Sequence, residues 1–271
     1  MARRINDLKE ALNKPKQIVE ILDEQIATAL LQHRRSNREL FLSGISAGLE
    51  IGFSVFLMAA LYTKFQGIVN PSAMDVLLAL AYPLGFIFVI IGRSELFTEH
   101  TTLAVLPVLN GNATVKSLLL LWVLVYAGNL VGGYLFGFIM AVIPERLGAV
   151  EAGSFYHLAI KLIDHPWYII AGSGILAGWL MGLLSWLITS SQETISRIVI
   201  IVLITTVIGI GGLHHSIVGS IEVFTAALIS KHIGIGDYMH VQVWATLGNL
   251  VGGVVFVAFI KYSHIRGGHN Q

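Results

Sequence analysis

Six apolar runs of about 20 residues, near positions 40–62, 74–91, 118–143, 167–189, 198–213 and 241–260, follow a polar N-terminal stretch of nearly 40. About 20 apolar residues coiled as a helix cross the hydrocarbon core of a bilayer, where the backbone has no water to bond, so the runs must become helices. Composition agrees. Of 271 residues, 55% are hydrophobic and 12% charged, and the mean hydropathy of +0.76 lies outside the range of soluble domains. The charges crowd the first 40 positions and then stand singly between the runs. The chain has no cysteine, which excludes disulfides and thiolate metal ligands, and a net charge of +1 gives no support to nucleic acid as a partner. The first apolar run begins too late to be the core of a cleaved signal peptide, so no targeting segment is expected.

Two further stretches are too short or too polar to cross alone: TTLAVLPVL (Thr101–Leu109) and SIVGSIEVFTAALIS (Ser216–Ser230). They read as the second halves of broken helices, and irregular backbone at membrane depth is tolerated only where it lines a cavity or is buried in protein. Counted by alternating sides, Lys and Arg number twelve on the N-terminal side, eight before the first run and then Lys116, Arg197, Lys261 and Arg266. Four lie on the other side, Lys64, Arg146, Lys161 and Lys231, with Arg93 left out because it sits inside the second span's break. This asymmetry puts both termini in the cytoplasm. In the N-terminal stretch Ile5, Leu12, Val19 and Ile26 recur every seven residues, with Leu8, Leu22 and Ala29 beside them and Pro15 interrupting. An amphipathic, kinked helix is expected there, lying on the membrane surface or the protein's base, with a regulatory or partner-binding element as the alternative.

The two halves of the chain repeat one another. SGISAG at Ser43–Gly48 returns as SGILAG at Ser173–Gly178, offset by 130, and GNLVGG at Gly128–Gly133 returns at Gly248–Gly253, offset by 120. Gly92 and Gly212 each lie 36 residues before the GNLVGG strings, so the breaks GRSELFT and GLHHSIV align at an offset of 120. Each half is three spans with a broken second one. Because three is odd, the second copy enters from the opposite side, and the breaks meet near the midplane. Gly48 with Gly52, and Gly178 with Gly182, have the four-residue spacing that lets membrane helices approach closely. Asn129 and Asn249 are polar groups in lipid that need partners, which the loosened backbone at the breaks offers.

Ionisable residues inside a membrane default to function, and Arg93, Glu95, His214, His215 and Glu222 gather at or near the breaks. A midplane histidine can change charge near neutral pH and donate to an anion, while a half-helix N-terminus adds partial positive charge. His215, next to Ser216, therefore suits an anion or a weak acid, with Thr98 presenting a hydroxyl opposite. His214 points to another face and reads as a neutral ring satisfied by a carbonyl. Glu50 and Arg93 are expected to pair, with Glu95 competing for the same arginine, in a charge network that stabilises the loop, direct contact with substrate being the alternative. His33, His157, His165, His232, His240, His264 and His269 read as ordinary surface residues.

The strings SELFTEH (Ser94–His100), HSI (His215–Ile217) and the two copies of GNLVGG, in this order, make residues from about 36 to 264 resemble the formate/nitrite transporter family. The resemblance implies an aquaporin-like protomer assembled as a homopentamer. Each protomer would carry its own pore for formate, nitrite, hydrosulfide or short carboxylates, often with proton coupling. It places the family's central pore histidine at His215 and its loop threonine at Thr98. It also places the periplasmic constriction at Leu96 and Phe97, the cytoplasmic apolar gate at Tyr82 and Phe86, and the vestibule lysine, after a one-residue shift, at Lys161. Arg93 and Ser94 before Glu95, His214 in place of an acidic residue, and Gly219 and Gly178 in place of asparagines mark a divergent branch.

The expected protein is thus an all-α integral membrane protein with six transmembrane helices, an aquaporin-like inverted repeat whose second and fifth helices are broken. Residues 1–38 form the cytoplasmic amphipathic helix, 39–264 the channel domain with repeats at about 39–145 and 165–264, and 265–271 a cytoplasmic tail. It is expected to be a multi-pass protein of the inner membrane, not an enzyme, with no cofactor or metal, whose partners are a small anion, protons, the lipid bilayer and further copies of itself. The expected function is passage of small monovalent anions such as formate or nitrite, proton-linked through His215. A neutral-solute channel is the alternative among transporters, although a single NPS (Asn70–Ser72) stands where two NPA motifs would be needed. A metalloenzyme built on Glu95, Glu99, His100, His214 and His215 lacks helical ligand spacing, and a transport-silent regulatory protein is the last alternative.

Overall fold

The computed structural model describes residues 15–267, and the secondary structure among them is helical. Ile5, Leu8 and Leu12 of the heptad row lie outside the described residues. After Pro15, α1 (Ile18–Arg34) begins where Glu20 reaches back to accept from the Gln17 N–H at 2.8 Å. Ser36 and Glu39 then form a reciprocal cap that starts α2 (Asn37–Phe65). The Asn70 side chain caps α3 (Pro71–Ala81), accepting from the Ala73 N–H at 2.9 Å, so the lone NPS string is a helix start. The chain continues through α4 (Pro83–Gly92), α5 (Phe97–Leu103), α6 (Leu106–Leu109), α7 (Val115–Met140) and α8 (Ile143–Arg146). The second half holds α9 (Ala152–Ile163), α10 (Trp167–Ser190), α11 (Thr194–Ile210), α12 (Ser216–Ile229) and α13 (Ile235–Val251). A π-helical stretch, Gly252–Phe259, joins α13 to α14 (Ile260–Gly267).

Five of these units are long and apolar enough to cross a membrane: α2, α3 with α4, α7 with α8, α10, and α13 through α14. The expected fifth run forms α11, apolar and 17 residues long. Pro83 has no N–H to give the helix, and the gap between α3 and α4 is repaired from outside. Ser54 Oγ of α2 donates to the Tyr82 carbonyl at 2.6 Å and accepts from the Gly85 N–H at 2.8 Å.

Within each half, the first and third spans touch backbone to backbone. A Cβ at Gly48 or Gly132 would collide with the carbonyls of Asn129 or Ile45, and one at Gly178 or Gly252 with those of Asn249 or Ile175. The breaks carry a correction to the register. Arg93 (φ 61°) and Gly212 (φ 57°) are the two left-handed residues that end α4 and α11, and they lie 119 residues apart. The structural offset across the breaks is therefore 119, and the extra residue is absorbed between the half-helix and the third span. Near the pseudo-twofold axis, Tyr126 Oη meets Thr246 Oγ1 at 3.0 Å, a pair exactly one GNLVGG offset apart.

Both described ends lie on one face. Asp23 of α1 pairs with Arg266 of α14 at 2.7 Å, and α1 buries Ile21, Leu22, Gln25, Ile26 and Ala29 against the bundle. His33, expected on the surface, lies within hydrogen-bond distance of Ser117 Oγ (3.0 Å) and the Ala104 carbonyl (2.9 Å).

Candidate functional site

Each break is built by the same three devices, two of them side chains and one a backbone conformation. The asparagine of each GNLVGG string bridges it: Asn129 Oδ1 accepts from the Phe97 N–H at 2.8 Å while its Nδ2 donates to the carbonyls of Gly44 and Glu95. Asn249 Oδ1 accepts from the Ser216 N–H at 2.9 Å while its Nδ2 donates to Gly174 and His214. The first serine of each SGIxAG string adds the second device, Ser43 Oγ accepting from the Glu95 N–H at 3.1 Å and Ser173 Oγ from the His214 N–H at 3.0 Å. The left-handed residue is the third. A fully buried asparagine with every polar atom engaged fixes loop geometry firmly, since leaving any of these groups unpaired is costly.

Held this way, the breaks meet. His215 is the N-cap of α12, and its Nδ1 accepts from the Val218 N–H at 3.3 Å. That leaves Nε2 to carry the ring hydrogen and donate to Thr98 Oγ1 at 2.8 Å, a neutral tautomer assigned by its partners. Phe86 stands edge-on to the imidazole at 5.2 Å between ring centres, and Tyr82 stacks on Phe86 at 5.4 Å. Thr98, His215, Phe86 and Leu96 are each 2% exposed or less. Phe97 lies at the same level, but its ring packs against Tyr126 and Trp122 of α7. Ser216 Oγ is buried without a hydrogen-bond partner.

Two cavities approach this centre. The one on the face away from the termini, about 600 Å³, reaches from Asp75, Lys161 and His165 past Tyr82 and Glu222 to His215. At its rim Lys161 Nζ pairs with Asp75 Oδ1 at 2.6 Å. Beside it His157 stacks on Tyr62 at 4.0 Å, and burial, with Lys161 next, holds its pKa below the ordinary histidine value. The second cavity, about 410 Å³, opens between α1 and the first break and is lined by Gln25, Gln32, Glu95, Glu99, His100 and Arg197. Tyr82 lines the cavity that holds Lys161, and the break with Leu96 and Phe97 adjoins the cavity beneath α1.

The charge network also differs from expectation. Glu95 Oε1 pairs with Arg35 at 2.6 Å and its other oxygen meets His100 Nε2. Glu50 Oε1 instead accepts from Ser46 Oγ at 2.8 Å and Ser94 Oγ at 3.0 Å. Arg93 is exposed and pairs with neither glutamate. Its role is conformational, ending α4 in the left-handed region. His214 is tied off as expected, Nε2–H donating to the Leu162 carbonyl at 3.0 Å and Nδ1 accepting from Ser173 Oγ at 2.5 Å. It therefore turns away from Glu95 and His100, and the five groups considered for a metal do not converge. Arg35 and His100 were not singled out by the sequence as partners of Glu95; a buried glutamate in need of a cation was the available signal.

The family description "Formate/nitrite transporter" matches residues 19–263. Among curated relatives, the inner membrane protein YfdC of Escherichia coli K12 is 28% identical over 89% of this chain and 79% of its own. The formate channel FocA of Haemophilus influenzae is 28% identical over 90% and 92%, and the nitrite transporter NirC of Salmonella typhimurium 26% over 80% of each. Among solved structures, an FNT family ion channel superposes with a TM-score of 0.80 at 22% identity, covering 91% of this chain and 99% of that one. A pentameric formate channel with formate bound superposes with a TM-score of 0.72 at 23% identity, covering 85% and 98%. A match over nearly the whole length makes this chain a member of the formate/nitrite transporter family, a family of membrane transporters and not of enzymes.

Proposed function

We propose that this chain is a homopentameric, multi-pass inner-membrane pore for small monovalent anions such as formate or nitrite, with six crossings, both termini cytoplasmic, and proton-linked passage past His215. The observation that carries the reading is the His215–Thr98 hydrogen bond of 2.8 Å, sealed among apolar side chains where the two breaks meet. A bare anion in such a constriction pays a heavy desolvation penalty and a neutral acid much less, so passage favours the protonated species. Lys161, at the mouth of the larger cavity, supplies a cation that draws anions inward. Leu96, Phe97, Phe86 and Tyr82 supply the apolar barrier, and Ser216 Oγ, Thr98 Oγ1 and His215 the polar contacts within it. Relatives named as a formate channel and a nitrite transporter, and a pentameric formate channel of the same fold, support the substrate class and the assembly. Twelve Lys and Arg against four support the orientation.

The test is uptake by proteoliposomes holding a trapped pH dye, challenged in turn with formate, nitrite, acetate, lactate, hydrosulfide and chloride. The expected outcome is substrate-selective internal pH change whose rate and pH dependence change in His215→Ala. Absence of any anion-dependent signal in folded protein would overturn the reading.

A further inference from the structure

The larger cavity contains a carboxyl group to which the pore reading assigns no role. Glu222 lies on α12 two turns beyond His215, and both residues line this cavity, with Val218 and Gly219 between them on the same wall. It is 7% exposed and, among the described residues, makes no hydrogen bond. His215, by contrast, has both ring nitrogens engaged by the protein, Nδ1 by the Val218 N–H and Nε2 by Thr98. An anion moving from Lys161 towards His215 therefore meets Glu222 before it meets the imidazole.

A permanently ionised carboxylate at this depth would repel the anion that Lys161 attracts and would lack the partners a buried charge needs. A protonated carboxyl does the opposite: it is neutral, and its O–H is a donor that a carboxylate or nitrite oxygen can accept. Resting on the reading of this chain as an anion pore, we infer that Glu222 is the residue that hands a proton to the incoming weak-acid anion before it enters the His215 constriction. The step balances. The Glu222 O–H bond breaks and its electron pair stays on Glu222, a new O–H bond forms on the anion, and the neutral acid moves on. Glu222 then regains a proton from hydronium in the cavity, so that one proton crosses with each anion. The charged and titratable groups facing it are Lys161, Asp75, Asp164 and His165 towards the rim and Tyr82 and His215 towards the centre. The Lys161–Asp75 pair leaves the Glu222 carboxylate formed after transfer without a full counter-ion, which favours its prompt reprotonation.

The experiment measures proton-coupled formate uptake in proteoliposomes across the acid-to-neutral range for the wild type, Glu222→Gln and Glu222→Asp. Currents carried by chloride or nitrate, which cannot accept the proton, are measured alongside. Glu222→Gln is expected to lower formate-coupled proton uptake roughly tenfold or more and to flatten its pH profile, while strong-acid anion currents stay near those of the wild type, because a Glu222 that has not given up its proton is already neutral. Glu222→Asp is expected to retain coupling with a displaced midpoint. If Glu222→Gln matches the wild type in rate and profile, the inference is overturned and the pore reading survives. If the wild type itself moves no anion, both fall. Where Glu222→Gln fails to assemble, the Asp variant decides: a displaced midpoint supports the inference, and an unchanged one overturns it.

Discussion

At the residue scale, Asn129 and Asn249 show how little is needed to hold irregular backbone inside a membrane. Each uses one carboxamide to satisfy a half-helix N–H and two carbonyls, and those groups have no water to turn to. Asn249→Leu keeps the volume but strands the Ser216 N–H and the His214 carbonyl and takes the second donor from the Gly174 carbonyl, which keeps its bond within α10. About 1–3 kcal/mol per stranded group adds up to a large share of a protein's net stability. The variant is expected to unfold at a markedly lower temperature in detergent, as followed by circular dichroism, and to lose flux. Asn249→Asp, which retains the acceptor for Ser216 but not the donors, should fall between. The sequence exposed the need for partners at these asparagines and placed His215 opposite Thr98. It did not expose Arg35 as the partner of Glu95, because the 60 residues between them leave no periodicity that links a loop after α1 to a break after α4. Arg93 was nearer in sequence, and its left-handed backbone aims it elsewhere.

At the element scale, the repeated strings carry two functions at once, and sequence alone separates only one of them. Glycines four apart announce close helix packing, and Gly48 and Gly178 do press on the carbonyls of Asn129 and Asn249. The serine that opens each string caps a break, a role visible only once Glu95 and His214 are in place. The offset of the breaks was misaligned by one residue for a similar reason: glycine was paired with glycine, whereas the left-handed position is Arg93 in one half and Gly212 in the other. The packing argument gives a paired prediction on α10. Gly178→Ala puts a methyl group into the Asn249 backbone, which cannot give way, and is expected to abolish assembly of folded protein by size-exclusion chromatography. Gly172→Ala, on the same helix, meets nothing within 4 Å and is expected to leave assembly intact, with a gain of up to about 1 kcal/mol from helix propensity.

At the scale of the whole molecule, the groups assigned to passage come from a single chain. Thr98 and His215 are contributed by the two halves of one inverted repeat, and Lys161 and Glu222 line the same cavity in the same protomer. A pentamer would therefore hold five complete sites, with its neighbouring copies and the lipid covering apolar side chains that one chain leaves exposed, such as Leu119 and Val123 on α7 and Val199, Leu203 and Val207 on α11. This distinguishes two designs. If each protomer conducts alone, pentamers assembled from mixtures of wild-type and His215→Ala chains should show formate uptake that falls in simple proportion to the mutant fraction. If conduction needed all protomers together, uptake would fall as a steep power of the wild-type fraction, because a single altered subunit would silence an assembly. The geometry predicts the straight line. Co-expression of two differently tagged chains, with the ratio read by native mass spectrometry and flux read in the same vesicles, decides between them.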